Sequence, residues 1–75
     1  MQTSQVYRIT VEGRLDENWA QQLGGMSIDH GNGDGGQPLT TLVGSLPDRS
    51  ALLGVLNTLH DLNLTLLTVE VVDDN

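Results

Sequence analysis

Two histidines and one glycine-rich run are the residues whose types could do chemistry. In His30-Gly31-Asn32-Gly33-Asp34-Gly35 a nitrogen or oxygen donor stands at every second position, with glycine in the sixth place. That is the opening half of a calcium loop, which then needs a bidentate Glu at its twelfth position. Here His30 takes the first position and Thr41 the twelfth, so the run reads as a solvent-exposed turn, not a cation site. It does not cradle phosphate either, because no Lys-Ser/Thr pair follows and no helix opens there. Asp29 and Asp34 share the segment, but two carboxylates on an open turn lack the burial that makes one an acid and the other a base. His60 stands far along the chain, near the end of a helix, and nothing places a nucleophile beside either imidazole. No catalytic residue, cofactor or metal ligand set is assigned, and the expectation is a protein that is not an enzyme.

Composition narrows the partners. The 75 residues make one domain, 1–75. A chain this short buries only about 60% of its unfolded surface. It has no Cys and no Phe, one Trp and one Tyr, so no disulfide or thiolate metal site can staple it and the core must be Leu, Val and Ile. Ten acids stand against three arginines, with no Lys, for a formal charge of −7. That argues against nucleic acid, whose affinity comes from Lys and Arg, and against anionic membrane surfaces. The acidity serves solubility. MQTSQVYR has neither a basic region nor an apolar run of the signal-peptide kind, and no apolar stretch reaches the ~18 residues of a membrane span. The default location is cytoplasmic.

The elements that must position any site follow from periodicity. Residues 5–12 alternate, Tyr7, Ile9 and Val11 on one face and Val6, Arg8, Thr10 and Glu12 on the other, which is a half-buried strand. After the turn at Gly13-Arg14, Asp16 is an N-cap with Glu17 in the first turn. Leu15, Trp19 and Leu23, spaced by four, predict a helix of about two turns anchored by Trp19 and stopped by Gly24-Gly25. Met26 and Ile28 face inward on a short strand over Met26–His30, GNGDGGQP (31–38) makes a hairpin, and Thr40 to Val43 form the next strand, closed by Gly44 and Ser45.

The organising stretch is Leu46 to Val72. Pro47 and Asp48 open a helix. Leu52, Val55, Leu56, Leu59 and Leu62 make its apolar stripe, and Asn63 ends it. Leu64 to Val72 then alternates with Leu67, Val69 and Val71 inward. Asp73-Asp74-Asn75 reads as a frayed acidic tail.

The order β-α-β-β-α-β is that of a ferredoxin-like α+β sandwich, a four-stranded antiparallel sheet with both helices on one face. With the first and last strands side by side at the centre, one register satisfies both faces. Tyr7–Val71, Ile9–Val69 and Val11–Leu67 pair inside, and Arg8–Glu70, Thr10–Thr68 and Glu12–Leu66 outside. This leaves Arg8, Thr10, Glu12, Leu66, Thr68 and Glu70 on an open face suited to a dimer contact. Gly54 lies roughly opposite the helix stripe, where Gly costs about 1 kcal/mol relative to Ala unless another backbone, from the first helix or a second subunit, comes close. Leu53 lies on its flank. The candidate interface is therefore Arg8, Thr10, Leu53, Gly54, Leu66, Thr68 and Glu70.

The run GSLPDRSALLGVLNTLHDLNLTLLTVEVV resembles the C-terminal half of a group of small uncharacterised bacterial proteins, and YRITVEGRLDENWAQQLGGMSI is similar to their start. That resemblance implies a fold and no activity. Asp48-Arg49-Ser50-Ala51-Leu52 also resembles the Asp-Arg-x-Gly-x-Leu of ACT domains, regulatory βαββαβ modules that bind amino acids at subunit interfaces. Ala51 replaces that family's loop glycine, and the segment precedes the second helix, not the first. This resemblance implies a ligand near Asp48, Arg49 and Ser50. The expectation from the residues themselves is a non-enzymatic module acting by protein–protein contact, chiefly with itself, as a homo-oligomer and most simply a dimer. The ACT-like ligand sensor is the alternative.

Overall fold

A computed structural model describes residues 4–72; the acidic end 73–75 lies outside the described residues. The elements are β1 (Gln5–Glu12), a 3-10 helix (Glu17–Leu23), β2 (Ser27–Asn32), β3 (Pro38–Leu46), α1 (Arg49–Asp61) and β4 (Thr65–Val72). The protein is α+β, with a four-stranded antiparallel sheet in the order β2-β3-β1-β4 and two helices. No helix among the described residues is long and apolar enough to cross a membrane.

Alternation builds β1 as expected: Tyr7, Ile9 and Val11 are buried while Arg8 and Glu12 are exposed. Opposite Ile9 and Val11 lie Leu42 and Thr40 of β3, both fully buried. Leu15, Leu23 and Met26, then Val55 and Leu59 of α1, close over that face in one cluster. β3 continues through Gly44 and Ser45 to Leu46, longer than the run of β-formers suggests. Gly44 pairs with Tyr7, and a side chain there would collide with Met26, 2.9 Å from its Cα. This glycine thus belongs to the strand and makes room for β2's approach; it does not end β3.

Capping explains the helices. Asp48 has extended backbone and its carboxylate accepts from the Ala51 N–H at 2.8 Å, so α1 starts at Arg49 and Pro47 lies outside it. At the other end Asn63 adopts φ 64°. Asn63 N–H bonds the His60 carbonyl and Leu64 N–H the Leu59 carbonyl, a Schellman closure that folds Leu64 back onto the core. The first helix is 3-10, capped by Asp16 and stopped by Gly24 at φ 74°. Three residues per turn displace positions four apart by about 120°. Both Leu23 and Trp19 pack on the core, but Leu23 is fully buried and Trp19 only partly, so Leu23 and not Trp19 is the deeper anchor.

The largest departure is β4. It pairs with β1, but at the edge of the sheet; the central strands are β1 and β3. The expected register holds from Val6–Val72 through Arg8–Glu70 and Thr10–Thr68, and then a bulge intervenes. Val11 lies opposite Leu66 and Glu12 opposite Thr65, with Leu67 the inserted residue. Leu66 is thereby carried onto the face of Val11, away from the outer face expected for it.

Candidate functional site

β4 carries the feature that the monomer does not explain. Leu67, Val69 and Val71, expected to be buried, are 46%, 38% and 56% exposed, and Leu66 is 47% exposed. Val69 and Val71 sit opposite Ile9 and Tyr7, both buried, and so share the helix-covered face. α1 does touch β4, but the buried cluster formed with α1 and the 3-10 helix takes in Tyr7, Ile9 and Val11 and no residue of β4. A row of half-exposed aliphatic side chains thus lines a sheet edge, where alternate backbone N–H and C=O groups also point outward. The other edge differs. β2 exposes Ser27, Asp29, Gly31 and Asn32, and its half-buried His30 is tied inward, Nε2 donating to the Leu15 carbonyl.

The expected interface residues fall on two sides of the molecule. Arg8, Thr10, Thr68 and Glu70 do share the outer face, and Arg8 Nε donates to Glu70 Oε1 at 2.8 Å across β1 and β4. Both partners are about half exposed, so the pair contributes well under 1 kcal/mol. Leu53, 59% exposed, and Gly54 stand on α1, across the sheet from that face. Among the described residues, nothing beyond Gly54's chain neighbours and the backbone of its own helix lies within 4 Å of where a Gly54 Cβ would sit. The first helix therefore does not account for that glycine.

The remaining candidates are engaged locally. Asp48 spends its carboxylate on the α1 cap, while Arg49 and Ser50 are exposed. In the hairpin, Gly33 N–H bonds the Gln37 carbonyl at 2.8 Å and Gly35 N–H bonds Gln37 Oε1 at 3.0 Å. The loop interior is filled by its own glutamine, 2.5 Å from the place a Gly33 Cβ would take. Among the described residues no three of His, Asp and Glu converge on a point that could hold a metal ion. An open hollow of about 450 Å³ lies between Arg14–Asn18 and His30. Its Asp16 carboxylate caps the Asn18 N–H at 2.9 Å and its His30 ring holds Leu15, so these groups brace the β1–helix loop.

Thr40, not anticipated as important, completes that brace. It is fully buried, donates to the Gly13 carbonyl at 2.7 Å and accepts from the Leu15 N–H at 3.1 Å. The available signal was parity, since Thr40 shares the inward face of β3 with Leu42.

Comparison with curated proteins finds no match, and comparison with solved structures finds none. A family described as a domain of unknown function, DUF8691, matches residues 6–70, which takes in most of β1 and β4 and everything between them, and the chain belongs to that family.

Proposed function

We propose that this domain is a self-associating, non-enzymatic module on a ferredoxin-like frame, and that its working surface is the β4 edge. The alternation of elements and the placing of β1 between β3 and β4 support that frame. The observation that carries the functional reading is the run of Leu66, Leu67, Val69 and Val71, all 38–56% exposed on one edge strand.

A Val or Leu taken fully out of water contributes about 1.5–3 kcal/mol. Covering four half-exposed side chains on each of two copies contributes about 6–12 kcal/mol, against an association cost of about 4–15 kcal/mol. Terms of similar size make this a contact that concentration decides. The test is mass in solution by light scattering or sedimentation, over roughly 1 to 500 µM. The expected result is a rise from the 8.1 kDa of one chain toward twice that value. A mass of 8.1 kDa throughout overturns the reading.

A further inference from the structure

We infer that two copies join by antiparallel pairing of β4 with β4, centred on Val69, into one continuous eight-stranded sheet. This rests on the self-association reading and gives it a geometry.

Residues directly opposite in an antiparallel pair share a face, so the aliphatic positions 67, 69 and 71 must meet one another. Three two-fold registers engage at least two of these positions. One centred on Glu70 sets two carboxylates opposite each other, a destabilising pair, in a chain already at −7. One centred on Thr68 pairs Leu67 with Val69 but leaves Val71 against Thr65. The register centred on Val69 pairs Val69 with Val69 and Leu67 with Val71 on both sides. It sets Glu70 opposite Thr68, with each Glu70 still held by its own Arg8. Charge and apolar matching select the same register. The contact is isologous and closes at two copies, since each β4 edge is used once. The two-fold axis stands perpendicular to the sheet, so α1 of both copies lies on the same side. The bare strip of each β4 then meets its equivalent under one shared trough between the helices.

β4 also lacks most protections of an exposed edge. Thr65–Val72 contains no Pro and no Lys, and Glu70, its one charge, is paired with Arg8. The bulge lies near Leu67, toward the start of the strand, and leaves 68–72 regular.

The chain has no cysteine, so a single introduced one reports its own contacts. Cβ atoms opposite each other lie about 4.5–5.5 Å apart, near enough for oxidation to trap them with small movements. Under mild oxidation Val69→Cys is expected to form covalent dimer on the order of ten times faster than Leu53→Cys on the outer side of α1. A mixture of Leu67→Cys and Val71→Cys is expected to cross-link faster than either alone. On the unmodified protein, amides of residues 68–72 should gain exchange protection as concentration rises through the dimer transition. Dimeric mass with cross-linking at Leu53→Cys and none at Val69→Cys overturns the β4 pairing and leaves self-association standing. Fastest trapping at Thr68→Cys or Glu70→Cys overturns the register. Monomeric mass with unchanged β4 exchange at every concentration overturns both, and leaves the strip to a different partner.

Discussion

At the scale of single residues, the hydroxyl of Thr40 is the polar group placed deepest in the core. It satisfies a buried N–H and a carbonyl on the Gly13–Leu15 turn, and His30 holds the Leu15 carbonyl from the other strand. Gly13 itself sits at φ 122°, where an added Cβ would also run into Leu64 at 2.5 Å, so the turn must pass close to the end of α1. The expected consequence is specific. Thr40→Val keeps the shape and removes both bonds, leaving the buried Leu15 N–H unpartnered at about 1–3 kcal/mol and the half-buried Gly13 carbonyl without its hydroxyl. Thr40→Ser keeps the hydroxyl and loses one methyl, about 1 kcal/mol. Urea unfolding should therefore rank wild type above Ser above Val. A Val variant equal to wild type would show that the turn satisfies itself without Thr40.

At the scale of elements, what was legible in the sequence follows from parity, and what was not follows from its limits. Tyr7, Ile9 and Val11 against Arg8, Thr10 and Glu12 set the face of β1, and the same alternation in β4 placed Arg8 against Glu70 correctly. The bulge was hidden because Leu66 and Leu67 are both aliphatic, and either satisfies the inner face. The edge position of β4 was hidden for a deeper reason. Alternation states which face avoids water, not what covers it, so Leu67, Val69 and Val71 read alike for a central strand and for a half-covered edge. The 3-10 helix escaped because spacing by four looks the same in sequence whichever helix carries it.

α1 offers the clearest test at this scale. Gly54 lies in its exposed interior with a clear surround and without positive φ. Gly54→Ala is expected to stabilise the protein by about 1 kcal/mol, a rise of about 4–8 °C in Tm for a domain of this size. Pairing through β4 also requires that this variant associate as wild type does. A fall in Tm or a loss of dimer would place a second backbone against α1 instead.

For the whole molecule, shape and charge make opposing demands. The extents of 42 × 27 × 18 Å describe a thin slab, one sheet under a partial helical layer that leaves the aliphatic side chains of β4 half exposed. Apolar area favours adding a copy there. Charge opposes it, because each copy brings −7 and the two must approach at an edge. The proposed contact contains one ion pair per copy, Arg8–Glu70, made within each chain and not across the interface, so salt has little attraction to weaken there. It has considerable repulsion to screen: the Debye length falls from about 30 Å at 0.01 M to about 10 Å at 0.1 M and about 3 Å at 1 M. Association should therefore strengthen as salt rises, with the dissociation constant falling several-fold between about 0.02 and 0.5 M NaCl. Sedimentation equilibrium at fixed pH measures it directly. The opposite slope would mean ion pairs between copies, as a contact across the outer face with its Arg8 and Glu70 would give, and the β4 edge would lose its place as the joining surface.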